Sequence, residues 1–335
     1  MSKRIGFFTR LLDKTSARER YHLATLQIQH AERLGYDNAW IAQHHFHENE
    51  GGLPSPLLFL ASVAAQTSRI RLGTAIITLP LENALRVAED AAVLDLLSNH
   101  RLEIGLGSGG TPTSFLPFGL TLDRRAEAFS RNLETLLAAW RGETLAHPDN
   151  RLYPPAPQLA ERVWQATFSV AGAARAGAAG HGLMLSRTQP RPAEQPLLPL
   201  DDIQNPMIDA YLASLPAGVE PRILASRTVF VTDNGAEARA FAVSGLSAQA
   251  AQHRAAGHLI SGSSLDDYIA AFDVHLGSPE QVVYSLGQDS AAARATDISF
   301  QVHSIDPPHA YILRSLELLA TEVAYALGWK TARHD

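Results

Sequence analysis

The regular alternation of short apolar segments with amphipathic segments is the feature that most constrains the fold. Each apolar segment predicts a strand, and each is followed by a stretch with helical periodicity. One segment, Ile70–Thr78, is apolar on both faces, which is typical of a strand buried in a parallel sheet. The predicted strands number eight: Ile5–Phe8, Asn38–Ala42, Ile70–Thr78, Leu102–Leu106, Val163–Ser169, Leu183–Ser186, Leu224–Val231 and Ile298–Val302.

Eight such units predict an α/β protein with the (β/α)8 TIM-barrel fold, formed by one domain over residues 1–335. Two stretches, near residues 187–201 and 236–276, are longer than a crossover needs. Segments inserted after barrel strands lie over the end of the barrel where active sites occur, so both stretches are predicted to be lid-like insertions. Tolerated surface insertions are the alternative.

Composition excludes several classes of protein. A hydrophobic fraction of 46% excludes a disordered chain, and the absence of Cys excludes disulfides, thiolate metal sites and a Cys nucleophile. The net charge of −6 provides no basic surface for nucleic acid. We expect neither a signal peptide nor a membrane span, because the first ten residues have no apolar core and no apolar run is long enough to cross a membrane. We therefore expect a cytoplasmic protein without nucleic-acid or membrane partners.

Three histidines, His44, His45 and His47, follow the second predicted strand. Residues at this end of barrel strands commonly perform catalysis. One interpretation is metal binding by His45 and His47, with further ligands to be sought among His181, Asp297 and His303. The other is general acid–base catalysis, or stabilisation of an intermediate, by a single imidazole, that of His44. The second interpretation is favoured.

A glycine-rich segment, Gly105–Gly110, follows the fourth predicted strand and formally matches a dinucleotide-binding motif. Pro112 and Pro117 come soon after it, so no helix begins at the glycines as that motif requires. The segment instead predicts a floor without side chains, where a flat ligand or a phosphate can approach the backbone.

Two further positions predict phosphate binding. Ser169 precedes a helix, where a hydroxyl and free backbone N–H groups can bind an anion, although a simple helix cap is the alternative. Arg124 and Arg125 begin another helix, where a cation opposes the helix dipole unless an anion compensates it. A solvated charge is the alternative there.

Taken in order, these features resemble the bacterial luciferase-like flavin-dependent monooxygenases. The resemblance covers nearly the whole chain and rests on short segments, among them Trp40–Phe46, Leu72–Thr74, Arg86–Asp90, Gly105–Gly107 and Gly277–Val282. It implies a monooxygenase that receives reduced FMN from a separate flavin reductase, a transient partner. It also implies reaction with dioxygen to a C4a-peroxyflavin, which oxygenates a small organic substrate.

The resemblance also implies roles for single residues. His44 is the catalytic residue, and Gln43 stands where the family commonly has Glu. The family has a cis peptide bond that supports the flavin ring, and Thr74–Ala75 matches its position. The other implied cofactor contacts are Glu89, Gly107, Arg125, Ser169 and Gly172.

Two other functions remain open on the same fold: hydride transfer with a deazaflavin, and metal-dependent hydrolysis. Relatives dimerise through helices after the second and third strands. Here the segment Leu57–Ala65 is apolar nearly all round, so a homodimer is expected. The identity of the small-molecule substrate is not indicated by any motif.

Overall fold

Eight parallel strands close a barrel in this computed structural model, which describes residues 2–192, 194–255, 260–303 and 305–330. The predicted barrel is confirmed. Two further short strands extend the sheet. In chain order the strands are β1 Arg4–Thr9, β2 Asn38–Ile41, β3 Arg71–Thr74, β4 Ile77–Thr78, β5 Leu102–Gly107, β6 Val163–Ala166, β7 Gly182–Leu185, β8 Ile223–Val231, β9 Val274–Gly277 and β10 Asp297–Gln301.

Helices cover the outside of the barrel because each has one apolar face that packs on the strands. Several begin at the caps that the sequence provides, such as Ser16 before α1 and Asn83 before α3. The helices are α1 Ala17–Arg33, α2 Pro56–Ala64, α3 Ala84–Leu97, α4 Arg125–Trp140, α5 Val170–Ala178, α6 Leu200–Ser214, α7 Gly235–Ala255, α8 Leu265–Ala271, α9 Pro279–Gly287, α10 Ser290–Arg294, α11 His309–Leu318 and α12 Ala324–Ala326.

The barrel closes where β10 pairs with both β1 and β8, with Ile298 opposite Ile5 and Ala225. Strand β8 is long enough to pair twice. Its first half pairs with β10, and its second half pairs with β9, with Val229 opposite His275. The predicted insertion at 236–276 therefore contains α7, α8 and most of β9, a strand that the sequence pattern did not reveal.

The third predicted strand, Ile70–Thr78, is not continuous. It ends at Thr74 and resumes at Ile77, because a cis peptide bond between Ala75 and Ile76 turns the backbone between the two segments. The predicted position Thr74–Ala75 is therefore wrong by one bond. An apolar run shows that a segment is buried, but it does not show where the segment bends.

Two tryptophans fill the inside of the barrel. Trp40 and Trp164 pack edge to face, with ring centroids 5.6 Å apart. Glycines on neighbouring strands make room for them, since a Cβ on Gly73 would lie 2.2 Å from Trp40 and one on Gly182 would lie 2.3 Å from Trp164. The barrel is thus a packed core rather than a pore, and ligands must bind at its ends.

None of the helices in the described ranges is long and apolar enough to cross a membrane.

Candidate active site

A cavity of about 690 Å³ lies at the end of the barrel where the strands finish. Four strands contribute side chains just past their last residues: Arg10 after β1, His44 after β2, Arg187 after β7 and His303 after β10. Parallel strands bring such residues together because their carboxyl ends meet at one edge. This cavity is the candidate active site.

Helix α7 forms one wall of the cavity through Gly245, Ala248, Gln249, Gln252 and His253. The helix packs closely on the loop after β10, since a Cβ on Gly245 would lie 2.3 Å from the carbonyl oxygen of Ile305. Its earlier part is fixed by Phe241, whose ring contacts those of Phe230 and Tyr311. Part of the 236–276 insertion therefore borders the site directly.

The 187–201 stretch also reaches the site. Arg187 lines the cavity, and Arg191 Nη2 donates to both carboxylate oxygens of Asp273, at 2.6 and 2.7 Å. Asp273 lies just before β9, in the other insertion. The two insertions are thus joined to each other by a largely buried ion pair with charge-assisted hydrogen bonds.

The His44 imidazole is held at the cavity by its surroundings. Its backbone N–H donates to the carbonyl of Leu53 at 2.9 Å, and Gly51 packs so closely that a Cβ there would lie 2.3 Å from the ring. Burial, together with the charges of Arg10 and Arg187, lowers the pKa of His44 to about 3. The ring is therefore neutral at pH 7 and offers one donor and one acceptor.

Glu50 is the carboxylate nearest to this ring. Its Oε2 lies 3.9 Å from His44 Nδ1 and accepts a hydrogen bond of 2.9 Å from Thr111 Oγ1. At 3.9 Å the His44–Glu50 contact is longer than a hydrogen bond. The carboxylate is available to orient the imidazole after a small movement.

Gln43 is buried beside the cis peptide. Its side-chain nitrogen donates to Glu82 at 2.6 Å and to the carbonyl of Pro54 at 3.0 Å, and its oxygen accepts from the N–H of Thr78 at 2.7 Å. Both ends of the carboxamide are therefore satisfied. A carboxylate at this position could not donate the first two bonds.

The cis peptide lies on a small apolar floor above the tryptophans. Ala75, Ile76 and Ala166 are partly exposed and pack on the cluster that contains Trp40 and Trp164. Gly107 ends β5 beside this floor, since a Cβ there would lie 2.8 Å from Ile76 Cδ1. The structure thus brings together Ala75 and Gly107, two of the residues predicted to contact the cofactor.

Ser169 and Gly172 also lie together, at the start of α5. The Ser169 hydroxyl accepts from the N–H of Gly172 at 3.1 Å, so Ser169 caps the helix. The hydroxyl of Thr167 lies 3.4 Å from that of Ser169. A cap and an anion site are compatible, because the hydroxyls and the remaining N–H groups of the first turn face the same end of the helix.

Arg125 is the first residue of α4 and is partly exposed, and it forms no ion pair within the described part of the chain. Its neighbour Arg124 lies 3.6 Å from Glu127, on the same helix. Because Arg124 has this acidic neighbour, Arg125 is the arginine of the two whose charge is available to bind an anion.

Two predicted cofactor residues have other contacts. Thr74 is fully buried, and its hydroxyl bonds to the N–H and the carbonyl of Gly105, both at 2.9 Å, which ties β3 to β5. Glu89 is half-exposed on α3 and forms an ion pair with Arg86 of the same helix. The predicted cofactor contact of Glu89 stays a prediction, because this ion pair lies on the exposed side of α3.

The histidine pair proposed as metal ligands diverges. The His45 ring packs against Phe118 at 4.8 Å, whereas His47 Nε2 lies 2.8 Å from Thr113 Oγ1. Asp297 lies at the first residue of β10 and pairs with Arg4, at the opposite end of the barrel. Within the described part of the chain, no three His, Cys, Asp or Glu residues are arranged to hold a metal ion.

The sequence analysis missed Arg10 and Arg187 as site residues, and it considered His303 only as a metal ligand. The position of these three residues could have identified them, because each follows a barrel strand by one or two residues. A charged or titratable side chain at that position is a candidate active-site residue whether or not it belongs to a motif.

Comparison with known proteins identifies the family. The model of the luciferase-like monooxygenases matches residues 5–293. The chain belongs to this family. The resemblance inferred from the sequence is thereby confirmed.

Individual relatives show the range of the family. The y4vJ protein of Sinorhizobium fredii is 36% identical over 164 residues, which is 47% of this chain and 46% of the relative. An F420-dependent glucose-6-phosphate dehydrogenase from Kineococcus radiotolerans is 35% identical over 117 residues, 34% of each chain. The match to y4vJ, the stronger of these two curated relatives, thus spans about half of that protein's length.

Among solved structures, the monooxygenase RslO1 from Streptomyces bottropensis superposes with a TM-score of 0.76 and 26% identity. The alignment covers 97% of this chain and 99% of RslO1. The resemblance in fold therefore extends over the whole barrel, insertions included.

Proposed function

We propose that this protein is a flavin-dependent monooxygenase that uses reduced FMN and dioxygen to oxygenate a small organic substrate. The observation that carries the proposal is the floor formed by Ala75, Ile76 and Gly107, which is tied to the segment that carries His44 because the N–H of Gln43 donates to the carbonyl of Ile76 at 3.3 Å. Family membership and the likeness to the monooxygenase RslO1 support it.

The residues present fit FMN at two places. The apolar floor of small side chains suits one face of the isoalloxazine ring, since Gly107 leaves room that any side chain would fill. Ser169, Thr167 and the first turn of α5 suit the phosphate. The resemblance to the family adds Arg125 as a source of positive charge. When bound, reduced FMN supplies the electrons that activate dioxygen at its C4a position.

The chain's own residues then position and shield the reaction. The neutral His44 ring can donate or accept a hydrogen bond at the cavity, and Glu50, 3.9 Å away, is the carboxylate that could orient it after a small movement. Helix α7 encloses one side of the cavity, and the Arg191–Asp273 ion pair joins the two insertions. Such enclosure limits the access of water to reactive species.

The test is an anaerobic titration of the protein with photoreduced FMN, followed by admission of dioxygen in a stopped-flow spectrometer. We expect reduced FMN to bind, and a transient absorbance of oxygenated flavin to last longer than in buffer and to shorten in His44→Ala. Failure of both redox states of FMN to bind would overturn the proposal. Binding of reduced F420 instead, a deazaflavin, would favour hydride transfer, the alternative that the dehydrogenase relative represents.

The phosphate contacts can be tested without turnover. We expect Ser169→Ala and Arg125→Gln to weaken FMN binding roughly tenfold each, since a hydrogen bond to a charged group contributes about 1.5–3 kcal/mol. Riboflavin lacks the phosphate, so its affinity should not change. Arg131→Gln is the matched control, because Arg131 is an exposed residue of the same helix.

We further propose that the protein is a homodimer that associates through α2 and α3. Both helices leave large apolar side chains exposed, including Leu58 at 75% and Leu97 at 63%. Exposed apolar surface of this kind is typical of association sites. A flavin reductase is the expected transient partner, because reduced FMN must be supplied from outside the barrel.

A further inference from the structure

Arg10 and Arg187 face the same cavity, and among the described residues neither forms an ion pair with a carboxylate. Arg10 Nη1 donates to the backbone carbonyl of Glu50 at 3.1 Å, and its Nε is buried without a partner. Arg187 Nη1 donates to Thr228 Oγ1 at 3.3 Å. Both guanidinium groups retain unused donors.

Other buried arginines of the same chain have fuller sets of partners. Arg191 donates to both carboxylate oxygens of Asp273, and Arg227, which is fully buried, forms a bidentate pair with Asp289. Arg101 is satisfied instead by four backbone carbonyls. Burying an unpaired charge is costly, and among the described residues the two cavity arginines have neither a carboxylate nor such a set of carbonyls.

The acids around the cavity have other contacts. Asp306 pairs with Lys14, and Glu50 accepts from Thr111 Oγ1 while its charge only partly offsets the burial of Arg10. Asp13 accepts from or shares a proton with His303 Nε2 at 3.0 Å. Glu48 lines the cavity but is exposed to solvent. No described acid therefore neutralises both guanidinium groups.

The two arginines are close enough to affect each other and the histidines. Burial and then the charge of Arg10 lower the pKa of Arg187 well below its ordinary value. Both charges also contribute to the lowered pKa values of His44 and His303. Two guanidinium groups and two imidazoles thus face one cavity. The guanidinium charges would attract an anion in it, and the neutral His44 ring could donate a hydrogen bond to that anion.

We propose that Arg10 and Arg187 bind a carboxylate of the substrate, so that this enzyme acts on an organic acid. The inference rests on the proposed function for the type of reaction that the acid undergoes. The binding of the acid by the two arginines does not depend on that function. The planar guanidinium group matches a carboxylate in geometry, and two of them can bind both oxygens. The cavity of about 690 Å³ is large enough for an acid of moderate size, and Leu12 and Ala248 offer it apolar contacts.

A bound carboxylate would also act on His44. It would offset the positive charges that help to lower the pKa of this ring, so that pKa should rise when the acid binds. Substrate binding and the proton affinity of His44 are coupled in this arrangement. The coupling can be observed by NMR titration of the imidazole with and without a carboxylate.

The test compares acids with neutral molecules of the same shape. Benzoate and benzamide, and octanoate and octanamide, are titrated into the full chain by calorimetry, with and without FMN. We expect at least one acid to bind the wild type roughly ten to a hundred times more tightly than its amide. Arg10→Gln and Arg187→Gln should each abolish that preference.

Arg239→Gln is the control, because Arg239 lies on α7 in an exposed pair with Asp266. Arg187→Lys keeps the charge and should retain part of the preference, which separates charge recognition from misfolding. If both acids fail to bind, or if both Gln variants keep the preference, the inference is overturned.

A second arm distinguishes the substrate carboxylate from the phosphate of the flavin. If Arg10→Gln and Arg187→Gln weaken binding of FMN but not of riboflavin, these arginines hold the flavin phosphate and the inference is wrong. If FMN does not bind at all while the acids still bind through the arginines, the proposed function fails and the carboxylate site stands.

Discussion

The side-chain nitrogen of Gln43 donates a hydrogen bond to Glu82 Oε1 over 2.6 Å, next to the cis peptide between Ala75 and Ile76. The family commonly has Glu at the position of Gln43. Here the carboxylate comes from Glu82 instead, and its charge opposes the effect of burial on the pKa of His45. A carboxylate is therefore present near His45 although position 43 carries Gln.

Gln43→Glu should destabilise the protein. The substitution sets two carboxylates against each other in a largely buried place and removes the donor to the carbonyl of Pro54. We expect a loss of about 1–3 kcal/mol in the free energy of unfolding at pH 8. The loss in unfolding free energy should be smaller at pH 5, because there the two neighbouring carboxylates can share a proton and no longer carry two negative charges. Urea denaturation at both pH values measures it.

Gln66→Glu is the control for that variant, because Gln66 is exposed and its side chain donates, among the described residues, only to Ser62, one helical turn earlier. An equal loss in Gln66→Glu, or no loss in Gln43→Glu, would show that the Gln43–Glu82 contact contributes nothing to stability.

Gly107→Ala should disturb the floor beside the cis peptide. The new Cβ would lie 2.8 Å from Ile76 Cδ1 and 2.9 Å from Cγ1, so the Ile76 side chain must move. Overpacking of this kind costs about 1–3 kcal/mol, and we expect FMN affinity to fall roughly fivefold or more. Fluorescence titration measures the affinity, and thermal unfolding without FMN measures stability separately. In Gly110→Ala, where a Cβ would meet nothing within 4 Å, FMN affinity should be unchanged.

Most of the barrel could be predicted from the sequence because strand and helix periodicities alternate without interruption. The exceptions were places where tertiary contacts decide the outcome. Strand β9 is short and pairs only with the far half of β8, so its four residues carry no distinct period. The break after Thr74 depends on a backbone turn that an apolar run does not encode.

The site residues that belong to a sequence motif could be predicted from the sequence. The site residues that only the folded barrel brings together could not. His44, Gly107 and Ser169 belong to recognisable segments, and they lie at the strand ends as expected. Arg10 and Arg187 are 177 positions apart and become neighbours only when the barrel closes. Glu89 belongs to a recognisable segment as well, yet the helix places it on the outer surface with Arg86.

Buried histidines should make stability depend on pH. Burial, followed by the charges of Arg222 and Arg141, lowers the pKa of His181 to about 4. In the unfolded chain its pKa is about 6.5, so the unfolded state binds more protons between these values. Stability is therefore complete above about pH 6.5 and falls as the pH drops towards 4.

His181→Asn should reduce this loss, because Asn cannot be protonated and can still accept the bond from Gln165. We expect the fall in unfolding free energy between pH 7 and pH 4.5 to shrink by about 1–3 kcal/mol relative to the wild type. Urea denaturation across that range measures the difference. His147→Asn, at an exposed position, should leave the pH dependence as it is in the wild type.

The proposed dimer predicts a change of mass on mutation of the exposed face of α3. Leu97→Arg places a charge where apolar surface would be buried between copies, so the variant should elute as a monomer while the wild type elutes as a dimer. Light scattering after gel filtration gives the mass. Leu116→Arg is the control variant, because Leu116 is equally apolar and 70% exposed but lies in the loop after β5, away from α2 and α3 in the chain. A wild-type mass of one chain would rule out the dimer, and a monomeric Leu116→Arg variant would place its interface elsewhere.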